Sequence, residues 1–254
     1  MSVHQDTAAG GQRPVTQPTL PAGHPLESDA RTLGSGTAWL LLAILSAVGF
    51  AVLALAVKAG VFTALDHSLL ATVHRNIAPG IFWDVISASA NIPLIAVGLA
   101  FVVWLFVTKR RREAFIALAL MAAVTAGSEL AKTFVGEARP SGNGDGIPGV
   151  PGAFPSGHEL EVLSIWGMVA IRFWRSSFAR WLRQLVAVMV TIEVVLVGVA
   201  RLVLDEHWPA DVVAGFLGGF VVLGLYAWFT RPGGWADRPP AGNGTASTPA
   251  REPA

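Results

Sequence analysis

Three polar stretches interrupt an otherwise apolar chain. AKTFVGEARP carries Lys132 and Arg139, FPSGHELE carries Ser156, Gly157 and His158, and ARLVLDEHWPAD carries Arg201, His207 and Asp211. If the three meet, fixed cations and two histidines share one site. That composition suits a phosphate, because arginine supplies forked N–H donors and lysine a compact charge. Ser156-Gly157-His158-Glu159 reads as an S-x-x-E capping box, whose unpaired N–H groups favour an anion, and Gly157 lets a ligand approach the backbone. The same residues also read as a plain helix cap, and the two readings can coexist. Trp208-Pro209 marks another helix start, with Asp211 in its first turn, four residues after His207. A carboxylate there could accept the N–H of one imidazole nitrogen and leave the other bare toward a substrate. The alternative is an interfacial pair with no chemistry.

The elements that must position these residues are membrane helices. The chain has 254 residues, 53% of them hydrophobic and only 14% charged, with a mean hydropathy of +0.55, well beyond an ordinary soluble domain. Apolar runs near the 17–25 residues that cross a bilayer lie at about 38–57, 85–108, 114–130, 158–174, 185–200 and 212–230. The expected fold is therefore all-α: six transmembrane helices in one bundle, a membrane domain over residues 37–231. The tails, 1–36 and 232–254, are rich in Gly, Pro, Ser and Thr and are expected to be disordered. The first apolar run has no basic region directly before it, so a cleaved signal peptide is not expected. Between the first two spans, Leu65, Leu69, Val73 and Ile77 recur every four residues, which suits a short helix in the membrane interface; a solvated loop is the alternative.

Charge sets the expected orientation. Lys109, Arg110, Arg111 and Arg112 follow the second span, and Arg172, Arg175, Arg180 and Arg183 surround the end of the fourth. By the positive-inside bias these connectors and both tails face the cytoplasm, so the three polar stretches share the outer face of a cell membrane. A net charge of +1 gives no argument for nucleic acid, and the absence of cysteine excludes disulfides, iron–sulfur ligation and thiol catalysis.

Taken together, Lys132-x6-Arg139-Pro140, Pro155-Ser156-Gly157-His158 and Arg201-x5-His207-x3-Asp211 stand in an order and at spacings that resemble the signature of the type 2 phosphatidic acid phosphatase superfamily. That superfamily also holds the soluble vanadium haloperoxidases. The resemblance covers about residues 38–230, with one departure: the third motif usually begins Ser-Arg, and here Ala200 precedes Arg201. It implies that His207 is a nucleophile that becomes phosphohistidine, that Asp211 holds its tautomer, and that His158 is the general acid and later the base. Lys132, Arg139, Ser156, Gly157 and Arg201 would bind the phosphoryl oxygens. No metal and no cofactor are implied.

A site at headgroup level suits a phosphorylated membrane lipid as substrate. Bacterial relatives of this size commonly act on undecaprenyl pyrophosphate, phosphatidic acid or phosphatidylglycerol phosphate, and the residues do not choose among them. Other readings use the same residues: a lipid phosphotransferase, a haloperoxidase, or a non-catalytic transporter or scaffold that keeps an anion site. Oligomeric state is left open.

Among the remaining charges, Glu129 is expected to pair with Lys132, three residues on. Glu193 is open between structural hydrogen bonding and substrate contact, and Glu161 has no evident role. His67 and His74 are expected to be solvated. Gly215 and Gly219 form a G-x-x-x-G suited to close helix packing. The Gly/Pro-rich connector 138–156 could be a lid or a surface loop.

Overall fold

A computed structural model of the chain describes residues 25–142 and 152–233, with side chains from residue 36 onward. The described residues form α-helices and no strands. In chain order these are α1 (Pro25–Lys58), α2 (Thr63–Asn76), α3 (Ile81–Ser89), α4 (Ile92–Val107), α5 (Arg111–Val135), α6 (Gly157–Trp174), α7 (Arg180–Val203) and α8 (Pro209–Phe229). Five segments are long and apolar enough to cross a membrane: Gly36–Lys58, Ile81–Val107, Arg111–Val135, Arg180–Val203 and Pro209–Phe229. Their outer faces present large apolar side chains, among them Leu45, Val52 and Leu55 of α1 and Val188 and Ile192 of α7, as a lipid solvent requires.

Three boundaries differ from the sequence reading. Helix α1 begins at Pro25, so residues 25–36, expected in the N-terminal tail, form its first turns. Pro25 is suited to a helix start, and LESDAR behind it contains good helix formers. The second expected span is broken into α3 and α4, because Pro93 in the first turn of α4 has no N–H to continue the ladder and Asn91 leaves helical geometry at φ −100°, ψ −123°. Helix α6 is only 18 residues long and carries Glu159, Glu161 and Arg172, so it is not among the five apolar segments. The expected remainder of the tails, 1–24 and 234–254, and the centre of the connector, 143–151, lie outside the described residues.

The reason α6 can carry charge is its position. The most extensive packing joins α1 to α8, α8 to α6 and α6 to α7, with further contacts from α6 to α5 and α4. Polar side chains of α6 therefore meet protein. The α6–α8 contact depends on missing side chains: a Cβ at Gly219 would lie 2.6 Å from Leu163, and one at Gly215 would lie 2.7 Å from the Cβ of Glu159. The G-x-x-x-G stripe thus brings the two site-bearing helices together. Around this contact Val162, Met168, Leu94, Leu105, Val197 and Tyr226 form the buried core.

The two ends of the bundle differ in chemistry. At one end the Tyr226 hydroxyl donates to Glu113 at 2.6 Å, Arg172 approaches Glu113 at 3.6 Å, and Arg175 donates to Thr230 and to the Ala227 carbonyl. The other end gathers the C-termini of α5 and α7 and the N-termini of α6 and α8, and so all three polar stretches.

Helix α2 forms where the four-residue apolar repeat places it, but its buried face is different. Leu65 and Leu69 point outward, while Asp66 and Leu70 are buried. Asp66 accepts the N–H of Ala210 at 3.0 Å and so caps α8. His67 stacks edge-on against Trp208, and His74 lies 3.1 Å from the Leu202 carbonyl. Both histidines are exposed, as expected, and through these contacts α2 also braces the turn that carries His207.

Candidate active site

That turn is built from backbone geometry. After α7 the N–H of Glu206 and that of His207 both reach the Arg201 carbonyl, at 3.0 and 3.2 Å, so the x5 spacing folds His207 back beside Arg201. Pro209 then starts α8, and Asp211, in its first turn, accepts the N–H of Trp208 at 2.8 Å. The indole N–H of Trp208 donates to the Ala138 carbonyl at 2.8 Å, tying this turn to the Arg139 stretch.

His207 is almost fully buried. Its Nδ1 lies 2.7 Å from the carbonyl oxygen of Ala153 and 3.5 Å from Asp211 Oδ2. The nearer acceptor is thus a backbone carbonyl, and the Asp211 carboxylate expected there from the sequence is the second. Either acceptor requires Nδ1 to carry the proton, which leaves Nε2 with a bare lone pair. Nε2 has no hydrogen-bond partner among the described residues. Burial first, then the charges of Arg139 and Arg201, push the His207 pKa down from 6.5 to about 3. It is therefore neutral at ordinary pH, with a free nitrogen beside cations.

The first stretch reaches the site through a helix end. Gly136 closes α5 in the left-handed region at φ 71°, its N–H bonded to the Lys132 carbonyl, a geometry that favours glycine. Lys132 pairs with Glu129 at 2.9 Å, as the three-residue spacing leads one to expect. Arg139 forms an ion pair with Glu206. The chain bonds back through Ala153, whose N–H donates to the Glu137 carbonyl at 3.1 Å.

The second stretch starts α6. Ser156 is fully buried and its Oγ accepts the N–H of Glu159 at 3.5 Å, while its own N–H donates to the Asp211 carbonyl at 3.1 Å. Only half of the capping box forms: the Glu159 carboxylate has no hydrogen-bond partner among the described residues and lies instead against Gly198, with its Cβ and Cγ against Gly215. A Cβ at Gly157 would stand 3.3 Å from Ser128 Oγ and 3.9 Å from Lys132 Nζ, so glycine keeps the helix start open to the cations. His158 Nε2 lies 2.7 Å from Asn91 Oδ1, and burial first, then Arg201, His207, Arg139 and Lys132, act on its charge. Arg201 is held by the hydroxyl and carbonyl of Ser87, at the end of α3.

All eight residues singled out in the sequence thus converge: Lys132, Arg139, Ser156, Gly157, His158, Arg201, His207 and Asp211. Glu193 accepts a hydrogen bond from Ser89 at 2.6 Å, and Glu161 faces α5, 3.5 Å from Thr125. Sequence reasoning missed Ser87, Asn91, Glu137 and Glu206. The polar residues of SASAN inside an apolar run were a usable signal for the first two. The role of the Ala153 carbonyl has no sequence signal.

Residues 113–234 match the sequence model of the PAP2 superfamily. The fold is similar to the crystal structure of the first transmembrane PAP2 type phosphatidylglycerolphosphate phosphatase from Bacillus subtilis, with a TM-score of 0.63 and 18% identity, covering 74% of this chain and 94% of that one. At that identity the likeness carries the fold and not the substrate. No curated protein sequence gives a significant match. With its apolar helices and this fold, the chain is a multi-pass membrane protein.

Proposed function

We propose that this chain, whose residues 113–234 match the PAP2 superfamily model, is a metal-independent lipid phosphatase working through phosphohistidine on His207. The observation that carries the reading is the state of His207: neutral, fixed in one tautomer, and presenting a buried, partnerless Nε2 beside the arginines of the cradle.

In the first half-reaction the Nε2 lone pair attacks phosphorus, the P–N bond forms and the P–O bond to the lipid breaks. The leaving oxygen takes a proton from His158. In the second, His158 removes a proton from water, the water oxygen attacks phosphorus, and the P–N electron pair returns to Nε2 as inorganic phosphate departs. Lys132, Arg139 and Arg201, with the Gly157 N–H and Ser156, hold the phosphoryl oxygens and supply the neutralising charge that metal ions provide in kinases. The imidazolium formed on His207 faces the Ala153 carbonyl and the Asp211 carboxylate.

We assign α6 as a sixth span, shielded from lipid by its neighbours, which puts both tails on one side. The arginine-rich end then faces the cytoplasm and the site faces outward. A lipid can keep its tails in the bilayer there and present its phosphate sideways. Undecaprenyl pyrophosphate, phosphatidic acid and phosphatidylglycerol phosphate all meet this requirement.

The test is phosphate release by detergent-purified protein from those three lipids and a soluble phosphate ester, with EDTA present, each repeated with His207→Ala. Release that survives EDTA and is lost in the variant is expected. Release from no lipid by folded wild-type protein, with a phosphorylated acceptor found instead, would replace hydrolysis by phosphotransfer.

A further inference from the structure

Glu137 lies between Lys132 and Arg139 in the first polar stretch, and the mechanism above does not use it. It directly follows Gly136, which closes α5 in the left-handed region. Its carboxyl group neighbours that of Asp211, and Glu137 Oε2 and Asp211 Oδ1 are both buried with no hydrogen-bond partner among the described residues. Two buried carboxyl groups face each other stably only when they share one proton, which then serves as the missing donor.

The surroundings decide which of the two holds it. Asp211 Oδ2 already receives the Trp208 N–H at 2.8 Å and lies 3.5 Å from His207 Nδ1, with Arg139 close by. Of the two carboxyl groups, Asp211 is therefore the one with donors facing it. Glu137 meets the negative charges of Asp211 on α8 and Asp66 on α2, which favour its neutral form. Burial, then the Asp211 charge, raise the Glu137 pKa to about 9. Glu206 and Arg201, the other charged groups acting on His207, complete the set around the pair.

We infer that Glu137 is a positioning residue: as a neutral carboxylic acid it donates a hydrogen bond to Asp211 and keeps that side chain facing His207 Nδ1. Its main chain has a parallel task, since the Glu137 carbonyl accepts the N–H of Ala153, whose own carbonyl accepts from His207. One residue thereby holds both acceptors of the nucleophile's N–H. The shared proton also keeps the pair at a single negative charge, matched to the single positive charge of a phosphorylated imidazole. The inference rests on the phosphohistidine reading for its catalytic meaning, but the shared proton is measurable without substrate.

The experiment compares wild type, Glu137→Gln and Glu137→Ala in phosphate release from phosphatidic acid micelles across pH 6–10. Gln keeps a donor and removes the ionisation, so it should stay within about 2-fold of wild type at pH 7, whereas Ala should lose about 10-fold. Wild-type kcat should fall as pH rises through about 9, and the Gln variant should lack that fall. Equal rates and equal pH profiles for Gln and Ala, whether both active or both inactive, would overturn the inference. Infrared difference spectra of wild type minus Glu137→Gln, without substrate, give the second reading. A protonated-carboxyl band at pH 7 that disappears toward pH 10 is expected, and its absence would overturn the shared proton. If His207→Ala instead retains activity, the phosphohistidine reading fails, while the infrared result still stands or falls by itself.

Discussion

The carbonyl oxygen of Ala153 lies 2.7 Å from His207 Nδ1, closer than the 3.5 Å to Asp211. A backbone group, invisible to any motif, therefore sets the tautomer of the proposed nucleophile, and Asp211 adds charge from a second position.

This division of labour makes Asp211→Asn milder than the loss of a sole orienting carboxylate. Where an aspartate alone fixes the tautomer, its amide variant loses about 10⁴ in kcat. Here the Ala153 carbonyl still selects Nδ1–H, so we expect a loss of about 10- to 100-fold, reflecting only the missing countercharge for the imidazolium. Steady-state kcat for folded Asp211→Asn checks this, and a loss near 10⁴ would return the tautomer to Asp211.

The protonation state of His207 is open to direct observation. Its pKa lies near 3, against an ordinary 6.5, so lowering the pH from 8 to 5 should leave Nε2 unprotonated. Nitrogen-15 NMR of histidine-labelled protein should show that resonance unchanged over this range, whereas a midpoint near 6.5 would contradict the burial argument. The linked stability has a fixed sign. The unfolded chain binds this proton below about 6.5 and the folded chain only near 3. The contribution is therefore complete above about 6.5 and is lost progressively as pH falls toward 3.

Helix spacing gives a third test. A methyl at Gly219 would stand 2.6 Å from Leu163, whereas one at Gly127 meets nothing within 4 Å. Gly219→Ala should destabilise the bundle by about 1–3 kcal/mol through overpacking. Gly127→Ala should be neutral or stabilising by up to about 1 kcal/mol, because alanine favours helix. Thermal unfolding of both variants in one detergent measures the contrast.

The sequence made the helical class, most span positions and the convergence of eight polar residues legible, because long apolar runs and a spaced set of cations and histidines are local patterns. It did not reveal what depends on tertiary contact. The break at Asn91 had its signal in Pro93, but the use of Asn91 against His158 needed α3, α4 and α6 to meet. Glu159 read as the reciprocal half of a capping box. Gly215 instead lets α8 approach so closely that the Glu159 carboxylate is directed toward Gly198. The stripe Leu65, Leu69 reads as the apolar face of a surface helix, and it does point outward. The face that matters to the site is the opposite one, where Asp66 caps α8.

The central claim is a phosphoryl group bound to His207. Enzyme mixed briefly with a lipid phosphate carrying ³²P in its terminal phosphoryl, then quenched in base, should retain label that is stable to alkali, released by acid, and mapped to the peptide containing His207. His207→Ala should retain none and should lose at least about 10⁴ in kcat, as removal of a nucleophile does. Normal turnover by His207→Ala, or label that survives acid and maps to another residue, would contradict the account.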